Sequence, residues 1–287
     1  MKVAVIGGSG FLGSSVADEL TKRKHEVFIL DNTPSPWLQQ NQNFIEIDIL
    51  NTDSLNTSLR NIDYVYHFAG IADIGKSKEK PLETLHLNIL GPANVAEACI
   101  KNDIKRLIFA SSLYVFNKKG SFYGTSKRAA ELLIKNYHEE FNLDFNFLRY
   151  GSLYGPRAQK WNGINRYIDE VMTSGKLSYP GKGNEVREYI HVNDAARLSV
   201  DILKEEFKNQ ALTISGTQTL NSSELIKMIF EISGKEEKVE MLGSSGSDHY
   251  QITPYSYSPL SSKKITSTIF KDLGEGILDI IKQYDKE

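Results

Sequence analysis

Residues 1 to 13 read Met-Lys-Val-Ala-Val-Ile-Gly-Gly-Ser-Gly-Phe-Leu-Gly, and the chain then runs through a helical stretch to Ile29-Leu30-Asp31. Val3 to Ile6 is a short apolar, β-branched run, too short for a helix and typical of a strand buried on both faces. It breaks at Gly7, Gly8, Ser9 and Gly10 and resumes as a helical pattern from Phe11 to Lys24. Strand, glycine turn and helix in that order suit the pyrophosphate of a dinucleotide. Gly7 makes the tight turn, Gly10 lets the pyrophosphate approach bare backbone, and Gly13 lets the helix pack closely on the strand. The phosphates then meet unpaired N–H groups and the positive end of the helix dipole. A second strand, Glu26 to Leu30, ends in Asp31, whose carboxylate can accept hydrogen bonds from the adenosine ribose hydroxyls. The same carboxylate repels a 2′-phosphate, which favours NAD over NADP.

The rest of the composition narrows the class. The 287 residues carry 34 basic and 36 acidic side chains, a formal net charge of −2, so no broad basic surface for nucleic acid or anionic membrane is implied. The single cysteine, Cys99, lies in a helical apolar pattern and reads as a small buried hydrophobe. No apolar run approaches the length of a membrane span. The N-terminus enters a core strand directly rather than a signal peptide. A soluble, cytoplasmic protein is expected.

Strand-like and helix-like segments alternate through the first half. Phe44 to Ile47, Asp63 to Ala69, Arg106 to Ala110 and Asp144 to Arg149 read as further strands. Helices are expected around Asp53 to Leu59, from Pro81 to about Asn102, and from Tyr123 to Phe141, with a polar loop carrying Lys76, Lys78 and Lys80. This rhythm predicts an α/β fold, a doubly wound parallel sheet covered on both faces. Beyond Tyr150 glycine and proline cluster and the segments shorten. Residues 1–150 are therefore expected to form the dinucleotide-binding domain, and residues 151–287 a smaller substrate lobe with elements able to return to the sheet. Stretches 243–248 and 255–262 read as exposed loops.

Tyr123-Gly124-Thr125-Ser126-Lys127 sets a tyrosine and a lysine four residues apart on one helical face. Free tyrosine is a poor base at neutral pH, but an adjacent ammonium favours the phenolate. Such pairs also arise by chance in helices. Ser111 and Ser112 close the strand just upstream, where a hydroxyl can hold a substrate hydroxyl in line. Six scattered histidines and one cysteine show no ligand spacing, and no metal is expected.

The chain resembles the extended short-chain dehydrogenase/reductase superfamily, in its nucleotide-sugar epimerase/dehydratase branch typified by UDP-glucose 4-epimerase. The ordered matches are Gly7 to Gly13, Asp31, Asp48-Ile49, His67-Phe68-Ala69-Gly70, Lys80 to Glu83 with Asn88 to Gly91, Ser111-Ser112, Tyr123 to Lys127, Arg149 to Pro156, and Gly181 through Asp194. The resemblance implies a Rossmann domain with a smaller C-terminal lobe, NAD as cofactor and a nucleotide-diphosphate sugar as substrate. Ser112, Tyr123 and Lys127 would be catalytic, with Tyr123 as the base and Lys127 as its partner. The cofactor would lie against Gly7, Gly10, Phe11, Leu12, Gly13, Asp31, Asn32, Asp48, Ile49, Phe68, Ala69, Gly70, Asn88, Ala110, Tyr123, Lys127 and Tyr150. Ser111, Ser112, Ser152 and Arg187 would meet the substrate, Arg187 gripping its pyrophosphate in a bidentate manner. Relatives commonly dimerise through the helices that here span about 81–102 and 123–141, so a homodimer is expected. The activity implied is 4-epimerisation, with a C4 dehydrogenase or keto-sugar reductase as the alternative and a non-catalytic NAD-binding regulator as a third reading.

This sequence departs from the family pattern in four places. Only ten residues separate Ser112 from Tyr123, where relatives carry a longer loop. Ser152 stands where epimerases usually place an asparagine. The region around Ser247 to Tyr250 has no arginine where relatives have a second phosphate-binding one. Leu113-Tyr114 replaces the Asp-Glu pair with which 4,6-dehydratases expel water.

Overall fold

Val3 and Val5 turn to one face of a sheet and Ala4 and Ile6 to the other, and all four are buried. A strand apolar on both sides needs a layer on each side, and burying each valine or isoleucine side chain contributes roughly 1.5–3 kcal/mol. The computed structural model describes residues 1–116, 119–243, 249, 252, 263–265 and 269–284. Its strands are β1 (Lys2–Ile6), β2 (Glu26–Asp31), β3 (Gln42–Glu46), β4 (Tyr64–His67), β5 (Arg106–Ser112), β6 (Phe145–Tyr150), β7 (Ser152–Tyr154), β8 (Leu177–Tyr179), β9 (Val186–His191), β10 (Gln210–Ile214), β11 (Thr219–Asn221), β12 (Val239–Met241) and β13 (Lys263–Lys264). Its helices are α1 (Phe11–Lys22), α2 (Thr52–Ser58), α3 (Ile74–Glu79), α4 (Pro81–Leu85), α5 (Gly91–Lys101), α6 (Ser121–Phe141), α7 (Gly163–Ser174), α8 (Val192–Asp201), α9 (Ser222–Ser233) and α10 (Leu273–Tyr284).

Eight strands form one parallel sheet in the order β13-β10-β6-β5-β4-β1-β2-β3. The order reverses between β1 and β4, so the carboxyl ends of these strands open the crevice in which such sheets bind ligands. One core lies between the sheet and α1 with α8, the other between the sheet and α2, α5 and α6. Strands β10 and β13 and helix α8 come from beyond residue 150. Helix α8 is tied to α1 by Arg23, which donates to Asp201 at 2.7 Å, and to the sheet by the Tyr66 hydroxyl, which donates to the Ser199 carbonyl at 2.8 Å. A separate core gathers Ile164, Ile168 and Val171 of α7 with apolar faces of α9 and α10. Beside it lie the short sheets β11-β9-β7 and β12-β8.

The expected elements recur with two local differences. The polar loop around Lys76 is in part a helix, α3, because the Asp73 carboxylate accepts from the Lys76 N–H and caps it. The long helix expected from Pro81 is interrupted by a π turn at His86–Leu90 between α4 and α5, a distortion common at functional sites. It sets Asn88 inward. The expected loops over 244–248 and 255–262 lie outside the described residues.

Candidate active site

A cleft of about 870 Å³ runs along the strand ends, bordered by the glycine turn on one side and by α7, Tyr179 to Gly181 and β9 on the other. Of the seventeen positions assigned to the cofactor, all but Asn88 line it, as do all three catalytic and all four substrate positions. Asn88 instead lies behind the wall. Its side-chain oxygen accepts from the Ile71 N–H at 2.8 Å and its amide donates to the Ile71 carbonyl and the Ser126 hydroxyl. It therefore braces the segment after Gly70 against α6.

The glycine turn fits a dinucleotide on its own geometry. Gly7 has φ +80, and a Cβ there would drive into the backbone of Phe68 and Ala69; a Cβ at Gly13 would drive into the Gly7 carbonyl. A Cβ at Gly10 would meet only the Gly7 oxygen, at an ordinary 3.4 Å. Internal packing thus does not require glycine at 10, whereas close approach of a ligand to bare backbone does. No side chain caps the N-terminus of α1, so its first-turn N–H groups remain for an anion. Asp31 accepts from the Ser9 N–H at 3.0 Å and the Thr33 N–H at 3.3 Å, which fixes its carboxylate at the end of β2. Ile49 packs against Gly91, and its carbonyl accepts from Asn94 at 3.1 Å, holding Asp48-Ile49 in the wall.

Tyr123 sits in the first turn of α6, which begins two residues earlier than expected, at Ser121. One turn on, Lys127 is buried, and its ammonium donates to the Ala110 carbonyl at 2.8 Å. The Nζ lies 4.8 Å from the Phe109 ring centre and 6.0 Å from that of Tyr123. Burial pulls the Lys127 pKa down to about 8, against the pull of the Glu131 carboxylate in the other direction. Glu131 is itself held by Arg149, through Nε at 2.9 Å and Nη2 at 2.7 Å, in a buried pair beneath the cleft.

That pair also accounts for Ser111. The Ser111 hydroxyl donates to Glu131 Oε1 at 2.6 Å, so this side chain ties β5 to α6. Among the described residues the Ser112 hydroxyl accepts only a long bond, 3.4 Å, from the Tyr114 N–H and makes no bond as a donor. His67 lies below the cleft with neither ring nitrogen bonded among the described residues; burial and the nearby Lys127 hold its pKa down at about 3, so it stays neutral. Among the described residues no cluster of His, Cys, Asp or Glu could hold a metal ion.

The family model for the NAD dependent epimerase/dehydratase family matches residues 3–215. The chain belongs to the NAD-dependent epimerase/dehydratase family. The UDP-glucose 4-epimerase of Thermotoga maritima, solved with UDP-glucose, superimposes with a TM-score of 0.85 at 26% identity, over 100% of this chain and 99% of that one. The UDP-glucuronic acid 4-epimerase of Bacillus cereus, solved with UDP-glucuronic acid and NAD, gives 0.85 at 27% identity over 99% and 100%. A UDP-N-acetyl-alpha-D-glucosaminuronate decarboxylase of Bacillus cytotoxicus is 27% identical over 94% of this chain and 90% of its own. The family is thus one of nucleotide-sugar enzymes that use NAD, as the ordered motifs imply.

Within this family fold the second lobe contributes cleft residues that the sequence reading passed over: Trp161, Asn162, Arg166, Tyr167, Tyr179 and His249. Arg166 ion-pairs with Glu170 at 3.4 Å and lies 5.1 Å from the Tyr167 ring centre. Arg187 lines the same stretch and acts electrostatically on Tyr167. Ile164, Ile168 and Val171 recur at helical spacing, a signal that would have placed α7 and left Arg166 off its buried face. Glu185 organises the Gly181-Lys182-Gly183 turn by accepting from the Lys182 and Gly183 N–H groups at 2.9 and 3.0 Å. The Tyr179 hydroxyl also donates to it, at 2.9 Å.

Proposed function

We propose that the chain is an NAD-dependent 4-epimerase of a nucleotide-diphosphate sugar. The observation that carries the reading is the convergence of Ser112, Tyr123 and Lys127 beside the glycine turn, with Arg166 and Arg187 at the far side of the same cleft. Tyr123, as phenolate, takes the proton of the sugar C4 hydroxyl, and Ser112 hydrogen-bonds that oxygen to hold it in line. Lys127 keeps two N–H donors beyond the one given to Ala110 and stabilises the phenolate. NAD, when bound along Gly7 to Gly13, Asp31 and Asp48-Ile49, supplies the acceptor for the C4 hydrogen and returns it. Arg187 and Arg166 grip the diphosphate, a task suited to guanidinium forks. With that end held, the 4-keto sugar can turn and offer its other face, and Tyr123 then gives its proton back.

The test is incubation with a panel of nucleotide sugars and analysis of the products by chromatography and mass spectrometry. The expected product is an isomer of unchanged mass. A product lighter by two hydrogens with NADH accumulating would make it a C4 dehydrogenase, and loss of water would overturn the reading of Leu113-Tyr114.

The oligomer and the compartment are also read here. Leu82 and Leu90, around α4 and α5, and Leu132 of α6 are large exposed apolar side chains on neighbouring elements, and a second copy of the chain packed helix on helix would cover them. Sedimentation at micromolar concentration should then give about twice 32.3 kDa, and a monomer would refute the dimer. Cys99 is buried, and burial pushes its thiol pKa well up, an inert thiol in keeping with a cytoplasmic enzyme. Among the described residues no helix is long and apolar enough to cross a membrane.

A further inference from the structure

Tyr123, Lys127 and Glu131 recur at every fourth residue of α6, so their side chains lie along one face of that helix. Two successive bonds stitch this face to the end of β5. Lys127 Nζ donates to the Ala110 carbonyl at 2.8 Å, and the next residue, Ser111, donates its hydroxyl to Glu131 Oε1 at 2.6 Å. Ser112 follows along the same strand. From β6, Arg149 stands in register with Ser111 and donates to both oxygens of Glu131, at 2.9 and 2.7 Å. Three elements therefore meet at one buried carboxylate, a single helical turn beyond Lys127.

An ion pair at this depth is a poor way to stabilise a fold. Desolvation offsets much of its attraction, and apolar side chains of similar volume often serve as well. The negative charge has a neighbour that needs it, however. Lys127 is buried, and desolvation there favours the neutral amine. The groups facing it are Tyr123 and Glu131 from α6, the Ala110 carbonyl and the Phe109 ring from β5, and the neutral imidazole of His67 from β4. Arg149 of β6 faces Glu131. Among the described residues Glu131 is the anion of that set, and its carboxylate opposes loss of the Lys127 proton.

We propose that Glu131 is the positioning residue of the catalytic pair: fixed by Arg149 and Ser111, it supplies the negative charge that keeps the Lys127 ammonium in place beside Tyr123. Glu131 is not part of the cleft wall, so it acts through Lys127 alone. Arg149 in turn holds the carboxylate at its post, which gives the buried ion pair its use.

The role rests on the acid–base reading of Tyr123 and Lys127, and two readouts on the full chain keep them apart. The first is NMR titration of isotope-labelled lysine, with the Lys127 signal identified by its loss in Lys127→Met; it needs no turnover. The second is the pH profile of kcat/KM. Glu131→Gln preserves the side chain's shape and removes its charge. It should lower the Lys127 midpoint from about 8 by roughly one pH unit. The alkaline limb of kcat/KM should follow, so that activity falls about fivefold at pH 8 and hardly at all at pH 6. The second variant, Glu131→Gln with Arg149→Met, removes the unpaired arginine as well and carries the test if the first fails to fold. Its midpoint should also stay below that of wild type. An unmoved midpoint in Glu131→Gln, or one back at the wild-type value in the paired variant, would overturn the inference, since the first leaves Glu131 a merely structural role and the second assigns the shift to the orphaned arginine. A midpoint that falls while the kcat/KM profile stays still would uphold the hold on Lys127 and remove Lys127 from the chemistry.

Discussion

Replacing Tyr123 by phenylalanine should lower turnover of the nucleotide sugar by about 10²–10⁴-fold, the range of a positioned acid–base group, and leave NAD binding intact. The change removes one oxygen from a ring that keeps its edge contact with Tyr114 and its place in the first turn of α6. Lys127 keeps its bond to the Ala110 carbonyl, and the glycine turn is untouched. The sugar should still bind, because Ser112, Arg166 and Arg187 remain in the cleft. The loss therefore belongs in kcat, with KM moving by a few-fold at most. Rapid-quench turnover together with fluorescence titration of NADH would measure both quantities. Full turnover in a variant that binds NAD normally would remove Tyr123 from the chemistry.

Most of this site was legible because its residues are fixed by neighbours close in sequence. Gly7, Gly10 and Gly13 act within one strand–turn–helix unit, and Tyr123 and Lys127 act within one helical turn, so spacing alone carries their geometry. Strand ends bring Asp31, Gly70, Ser112 and Tyr150 to one edge, a consequence of a parallel sheet that alternation of elements predicts. What spacing cannot tell is how a hydroxyl is used. Ser111 and Ser112 look equivalent as a dipeptide, but alternation along β5 turns one toward Glu131, which lies on another helix twenty residues away. The bracing role of Asn88 was hidden for the same reason: its amide bonds Ile71 and Ser126 once a π turn rotates it inward. The second lobe was hardest. Its short strands and glycine turns carry little periodicity, and the spacing of α7 does not tell that this helix faces the cleft.

Lysine 127 gives the second large effect, and a distinctive one. Its ammonium is held in a buried position where the pKa is drawn down to about 8, chiefly by desolvation. Catalysis needs this group protonated and Tyr123 ionised, so wild-type kcat/KM should fall as the pH rises through about 8, where the ammonium loses its proton in the free enzyme. Lys127→Met preserves the chain's length and removes the charge. Without the ammonium the phenolate loses the cation beside it. The variant should lose about 10²–10⁴-fold at pH 7, and its remaining activity should lack the decline above pH 8 that the wild type shows. Unfolding does not explain such a loss. Because the folded-state pKa of Lys127 lies below its unfolded value of 10.5, the unfolded chain binds the extra proton between about pH 8 and 10.5. This residue therefore costs the fold stability at neutral pH, and that cost is relieved as the pH rises through the window. The methionine variant should accordingly melt no lower than wild type at pH 7, with Glu131 still held by Arg149. Parallel pH–rate profiles for the two proteins, with the same decline above pH 8, would show that the ammonium does not govern the phenolate.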